Sequence, residues 1–174
     1  MSRAWPVNGI KANRSLGDAA HRILAVRIAE VYSYRPVIHR PEAVEETHAL
    51  RISLKRLRYT LELFGSVFGD EGERQTGRVK ALQETLGDLH DLDVRVELIH
   101  AERDRLSVGK PKRDPGDPEA ITAGLDRYAE REWTRRGEIH RHFVEQWNEY
   151  QQAGMRRDLV RLSQSSPDGS PIPS

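Results

Sequence analysis

Four basic side chains follow one another along a predicted helix with no acidic residue among them. His48, Arg51, Lys55 and Arg58 are spaced by 3, 4 and 3 residues, which places them in one line on a helix. Arginine offers a planar fork that matches phosphate oxygens, and lysine adds a compact positive charge. Aligned cations repel one another unless an anion lies between them. The pattern therefore predicts a binding surface for a polyanion.

The same helix carries an apolar line, which places the basic residues beside the core rather than opposite it. The apolar residues step by alternating fours and threes and are Leu50, Leu54, Leu57, Leu61, Phe64 and Phe68. At about 100° per residue, the basic line is centred roughly 120° from them. An ordinary solvated face, with aliphatic stems covering the edge of the core, would show the same spacing. The stripe alone leaves both explanations open.

A second predicted helix combines a glycine with three aspartates. Gly87 lies in the helix interior, where glycine costs roughly 1 kcal/mol relative to alanine, so we expect close packing or clearance there. Asp93 falls on the apolar stripe of this helix and needs a cationic partner, for which an arginine of the basic helix is the natural candidate. Asp88 and Asp91 lie off that stripe and could orient other basic side chains. Simple exposure is the alternative, and structural pairing is favoured over catalysis.

Together, the two segments resemble the CHAD family, the conserved-histidine α-helical domain. The first segment matches the family pattern at His48, Arg51, Lys55, Arg56, Arg58, Tyr59, Glu62 and Phe64. The second matches it at Lys80, Leu82, Gln83, Leu86, Gly87, Asp88, Asp91 and Val94. The joint match is more specific than either segment alone.

The resemblance implies an all-helical fold whose basic surface binds inorganic polyphosphate, with no catalysis, cofactor or metal. The expected contacts are Arg51, Lys55 and Arg58, supported by His48 and Arg56, with Lys80 reaching in from the neighbouring helix. A usual CHAD domain has two such halves around a basic groove, whereas this chain carries the motif pair once, in a form like the C-terminal half. We therefore expect a homodimer that rebuilds the groove; binding with half a site is the alternative.

Two other functions compete with this interpretation. His90-Asp91, with His39 and His48 upstream, could belong to an HD-type metal-dependent phosphohydrolase, although the CHAD pattern explains the aspartate without a metal. A nucleic-acid binder would need aromatic residues among the cations to stack on bases, and the stripe offers only Tyr59. For His48, a role as a hydrogen-bond donor beside Arg51 is favoured over metal binding or phosphoryl acceptance. The positive charge of His48 grows as pH falls through roughly 6.5, so the affinity for polyphosphate should rise there.

Other basic residues could form a secondary surface on the first and fourth helices. The candidates are His21, Arg22, Arg27, Arg131 and Arg135. Acidic residues accompany them, so ordinary surface ion pairs are the favoured explanation. Trp133, Phe143 and Trp147 are expected to pack in the bundle.

Composition sets the broader limits. The net charge of +1 hides an asymmetry, because residues 1–61 hold eleven Lys/Arg against five Asp/Glu. The absence of cysteine excludes disulfides and thiolate chemistry. No apolar run approaches the roughly 20 residues that span a bilayer, so we expect a cytoplasmic protein. Association with polyphosphate granules is an expectation that follows only from the resemblance to the CHAD family.

The elements that must position these residues form an antiparallel four-helix bundle. The first helix is predicted from about Leu16 to Tyr34, and the second from after Pro41 to Phe68, with a stop at Gly69. The third runs from about Gly72 to Leu106. The fourth runs from about Glu119 to Leu162, with a break at Gly137 or Gly154. Residues 1–13 form an N-terminal arm, 14–162 the CHAD-like bundle and 163–174 a disordered tail. A loop rich in Gly and Pro separates the third and fourth helices at 109–118.

Overall fold

The computed structural model describes residues 3–10, 15–108 and 118–164, and within these ranges it contains helices and no β-strand. The helices are α1 (Leu16–Tyr32), a 3-10 turn (Arg35–Val37), α2 (Val44–Leu63), α3 (Gly65–Val108), α4 (Pro118–Gln152) and α5 (Met155–Gln164). The predicted all-α bundle is confirmed. No helix in the described ranges is long and apolar enough to cross a membrane.

Local signals in the sequence account for several helix ends. The Ser15 hydroxyl accepts a hydrogen bond from the backbone N–H of Asp18 at 3.1 Å and caps α1. Helix α2 carries Glu45 and Glu46 in its first turn, where acidic groups stabilise the positive end of the helix dipole. Gly69 has φ 56° and ψ −154° and sharply interrupts the chain near the start of α3. The break predicted at Gly69 is thus present.

The predicted fourth helix is in fact two helices. Gly154 has φ 82°, a conformation that favours glycine, and separates α4 from α5, whereas Gly137 lies within continuous helix. Ser163 and Gln164, predicted to belong to the tail, form the last turn of α5. Residues 1–2, 11–14, 109–117 and 165–174, which include most of the predicted loop and tail, lie outside the described ranges.

Helix α3 packs against α2 on one side and α4 on the other, while α1 packs against α2 and α5. Helices α2 and α3 run antiparallel, since His48 contacts His90 and Arg51 contacts Gly87. Helices α3 and α4 also run antiparallel, since Asp93 contacts Arg136 and Thr85 contacts Gln146. The central core includes Leu24, Leu54, Leu57, Val79, Leu82, Leu89, Phe143, Trp147 and Leu159. Trp133, predicted to pack inside, is instead 52% exposed, because its position on α4 lies outside the apolar stripe.

Candidate functional site

The predicted basic line lies along the edge of the α2–α3 contact. His48, Arg51 and Arg58 are partly buried there, and Lys55 is exposed. Their position follows from the spacing, since the apolar line beside them is buried against the core. We call His48, Arg51, Lys55 and Arg58 the α2 stripe.

A matching line on α3 faces the α2 stripe. Lys80, Gln83, Gly87 and His90 are also spaced by 3, 4 and 3 residues, and we call them the α3 stripe. The rings of His48 and His90 have their centroids 4.4 Å apart, and the side chain of Arg51 passes over Gly87. Because the helices are antiparallel, this register sets Lys80 opposite Arg58. The two stripes together form the α2–α3 face.

Gly87 leaves room beside the Arg51 guanidinium. A Cβ atom added at Gly87 would lie 3.8 Å from Arg51 Nε, which is an ordinary van der Waals contact. The Nε atom of Arg51 is buried and has no hydrogen-bond partner among the described residues. A methyl group at position 87 would therefore fit, but it would occupy the space next to this donor.

Lys55 and Arg58 surround the exposed ring of Tyr59. The Lys55 Nζ lies 5.6 Å and the Arg58 Cζ 5.0 Å from the ring centroid, within the range of cation–π attraction. Arg58 also has a long contact of 3.7 Å with Glu62, while its Nε is buried and unpaired within the described residues. Lys55 and Arg51 make no ion pair with any described carboxylate, so their charges are not neutralised by that part of the chain.

Arg56 differs from its neighbour Lys55, because a carboxylate of the protein already binds it. Its Nη1 donates to Oε1 of Glu30 at 2.5 Å, and Arg27 donates to the other oxygen of the same carboxylate. Glu30 is fully buried, so this pairing holds α1 against α2. Arg56 thus has a structural pairing, and its predicted support of anion binding stays a prediction.

The His48 end of the face is bordered by acidic residues. A cavity of about 840 Å³ beside His48 and His90 is also lined by Glu45, Glu46 and Glu97. Burial, with the positive neighbours His90 and Arg51, lowers the pKa of His48 below its ordinary value. His48 is therefore more readily neutral than the sequence predicts, and the positive centre of the face lies at Arg51, Lys55 and Arg58.

Lys80 and Gln83 complete the α3 side. Lys80 is exposed and has only a long contact of 3.9 Å with Glu84. The Oε1 of Gln83 is buried without a hydrogen-bond partner among the described residues. Gln83 and His90 are additions to the predicted site residues. The signal that could have identified them is the repeated 3, 4, 3 spacing on α3, the same as on α2.

The aspartate predictions are corrected in two respects. Asp93 does pair with an arginine, but this is Arg136 of α4 and not a residue of the basic helix. Arg136 is 1% exposed and also donates from Nη1 to the Pro41 carbonyl at 2.7 Å. Asp88 and Asp91 point away from this contact, are exposed and form no ion pair with a described residue.

The proposed secondary residues do not form a continuous extension of the α2–α3 face. His21 is buried, with Nδ1 2.9 Å from the Leu162 carbonyl, and Arg27 is buried against Glu30. Arg22 is exposed on α1. Arg131 and Arg135 are exposed on α4, in a groove that also contains Glu130 and Glu138.

The structure brings together two of the residues that an HD-type metal site would use, but no third ligand is placed beside them in the described ranges. His48 and His90 are adjacent, as such a site would require. In the described ranges, however, no group of three or more His, Asp or Glu side chains is placed to hold a metal ion. The pair therefore has no third ligand among those residues.

The comparison with known protein families agrees with the placement of these stripes. The family model described as the CHAD domain matches residues 3–100, which include α1, α2 and most of α3 and contain both stripes. No curated protein and no solved structure matches the chain. Since the matched region covers more than half of the 174 residues, the chain belongs to the CHAD family.

Proposed function

We propose that the chain is a noncatalytic domain that binds inorganic polyphosphate along the α2–α3 face. The observation that carries this proposal is that Arg51 and Lys55 lie one helical turn apart with no described carboxylate near enough to pair with either. An external anion would supply the missing negative charge. Fixed cations that need no rearrangement would bind it without a large ordering cost.

The spacing along the face suits an extended polymer. One helical turn advances about 5.4 Å, so Arg51, Lys55 and Arg58 present cations to successive phosphates of one chain. Each hydrogen bond to a charged group contributes roughly 1.5–3 kcal/mol, so three or four such contacts support useful affinity. Lys80 would meet the polymer from α3, and the acidic cavity near His48 would limit its extent at that end.

The surroundings of Tyr59 favour polyphosphate over nucleic acid. Stacking on a base requires an open aromatic face, whereas Lys55 and Arg58 both lie against this ring. Stacking of a base on this ring would therefore compete with its contacts to Lys55 and Arg58. Long-chain polyphosphate should displace single-stranded RNA of matched charge, and the reverse preference would favour nucleic acid.

Charge reversal of Arg51→Glu together with Lys55→Glu tests the proposal. Fluorescence anisotropy with end-labelled polyphosphate should show affinity falling at least 100-fold while circular dichroism retains the helical signal. The matched control is Arg131→Glu with Arg135→Glu, which changes the net charge equally on exposed positions of α4. If both double variants lost affinity for polyphosphate equally, the loss would reflect net charge alone and would contradict binding at a defined face.

We also propose that two copies associate to complete the groove. Exposed apolar side chains at Leu63, Val94, Leu98 and Trp133 offer surface for such an association. Light scattering should give a mass of two chains, with or without polyphosphate. A mass of one chain under both conditions would contradict the dimer and leave binding by a single face. Association with polyphosphate granules in the cytoplasm would follow from the binding itself.

A further inference from the structure

A second basic site shares no residue with the α2–α3 face. It is a cavity of about 1230 Å³ between the end of α1, the 3-10 turn, the end of α4 and α5. Ligand cavities for small molecules are commonly about 300–1,000 Å³, so this one has room for a nucleotide-sized ligand. Helices α4 and α5 lie beyond the region matched to the CHAD family, so the cavity combines matched and unmatched parts of the chain.

The rim of the cavity is positively charged. Arg35, Arg156, Arg157 and Arg161 line it, and no Asp or Glu is among the described lining residues. Asp158, the acidic residue of α5, is buried and contacts Arg74 and the rim residue Arg157. Arg35 makes no ion pair with a described residue, and Arg156 lies over the Tyr32 ring, 5.2 Å from its centroid. These two positions are available to an anion.

The floor of the cavity is apolar, which a bare inorganic anion would not use. Ile38, Trp147 and Val160 contribute to it, and Ile38 and Trp147 are almost fully buried in the core. Phosphate groups are strongly hydrated and gain nothing from apolar contact, whereas the planar body of an organic ligand does. The combination of rim and floor fits a ligand with a charged end and an apolar end.

A free hydrogen-bond donor lies in the same wall. Gln151 lines the cavity, and its Oε1 accepts a hydrogen bond from the Tyr32 hydroxyl at 3.0 Å. The amide therefore has its NH2 group turned away from the oxygen that Tyr32 binds. The Nε2 of Gln151 is consequently a donor, and it is buried with no partner among the described residues.

From these features we propose that the cavity binds a nucleoside triphosphate. The arginine rim binds the phosphates, the apolar floor contacts the base, and Gln151 Nε2 donates to a ring nitrogen or carbonyl oxygen of the base. Arg35 and Arg156, which make no ion pair with a described residue, supply the phosphate contacts. This proposal does not depend on polyphosphate binding by the α2–α3 face, because the two sites have no residue in common.

The test uses the full chain carrying Arg51→Glu and Lys55→Glu, so that the α2–α3 face cannot contribute. Isothermal titration calorimetry compares ATP, inorganic tripolyphosphate and adenosine, which separate the charged end from the base. ATP should bind at least tenfold more tightly than tripolyphosphate, and adenosine should bind weakly. Equal affinity for ATP and tripolyphosphate, or no ATP binding, would overturn the proposal.

Two further changes assign the binding to this cavity. Adding Arg35→Glu and Arg156→Glu should lower the affinity for ATP at least tenfold. Adding the charge-matched Arg131→Glu and Arg135→Glu should change that affinity less than threefold. Gln151→Leu should lower the affinity for ATP several-fold and leave the affinity for tripolyphosphate unchanged. A loss of equal size in the two charge-reversal variants, or no effect of Gln151→Leu, would contradict the assignment.

Discussion

Helix α3 packs mainly against α2 and α4, and the charges at these two contacts are arranged differently. Toward α4, arginines meet carboxylates, with Arg136 on Asp93 and Arg95 on Glu132 at 2.6 Å. Toward α2, Arg51 crosses Gly87 and has no acidic partner among the described residues. Neutralised pairs hold helices together, whereas unpaired cations beside a clear space are suited to an external anion. The contrast separates residues that build the bundle from residues that serve binding.

The largest expected effect is on the α4 side of α3. Arg136→Met should lower the free energy of unfolding by about 3–5 kcal/mol, because it leaves the Asp93 carboxylate in a largely buried position without its partner. Urea denaturation measures the change, with the exposed neighbour Arg135→Met as control. Polyphosphate affinity of the folded protein should stay within twofold. A loss of stability below about 1 kcal/mol would contradict a structural role for this pair.

Adjacent residues on α2 give the next largest effect. Lys55→Ala should lower the affinity for polyphosphate about tenfold, corresponding to one contact with a charged group. It should change the free energy of unfolding by no more than about 0.5 kcal/mol. Arg56→Ala should do the opposite, lowering stability by about 2 kcal/mol because Glu30 loses one of its two arginines, with less than a threefold change in affinity. Anisotropy and urea denaturation of both variants provide the comparison. If Lys55→Ala and Arg56→Ala changed polyphosphate affinity and stability to a similar extent, the distinction between the unpaired Lys55 and the paired Arg56 would be wrong.

A smaller effect should come from the clearance beside Arg51. Gly87→Ala should stabilise the chain by up to about 1 kcal/mol, since alanine is the better helix former and the added methyl meets no atom closer than 3.8 Å. The same methyl should reduce polyphosphate affinity several-fold by filling the space next to Arg51 Nε. Gly77→Ala, also in α3 with open space around it, is the matched control for stability without a change in affinity. Unchanged binding in Gly87→Ala would show that this space is not used.

The smallest effect is the pH dependence from His48. Affinity should rise several-fold as pH falls, because a protonated His48 adds positive charge, and His48→Gln should lack this rise. Since the folded-state pKa of His48 is lowered, the rise should lie below pH 6.5 rather than at it. Stability should change in the opposite direction: the unfolded chain takes up the proton first, so stability present above about 6.5 is lost as pH falls. The lowered pKa of His140, caused by its burial beside Arg136, adds to that loss.

Periodicity in the sequence was sufficient for some of these features. The 3, 4, 3 spacing placed the α2 stripe at the edge of the core, and Gly69 was recognisable as a breaker because glycine adopts positive φ without strain. The break in the fourth predicted helix was left open between Gly137 and Gly154, and only the structure selects Gly154. These properties depend on residues close together in the chain.

Partners from distant segments were not predictable in the same way. Asp93 required an arginine, but its spacing carries no information on the register between α3 and α4 that selects Arg136. Arg56 looked free on its own helix, and only the packing of α1 brings Glu30 to it. The cavity between α1, α4 and α5 has the same origin, since its arginines come from segments more than 100 residues apart.

The most direct test of the central distinction is an NMR titration that observes arginine Nε–H signals. In wild-type protein, saturating polyphosphate should shift the Arg51 signal, assigned with Arg51→Lys, because this donor has no partner among the described residues. The Arg136 signal, assigned with Arg136→Lys, should stay in place because Asp93 already binds its Nε. An Arg51 signal that remains unchanged at saturation would contradict the account.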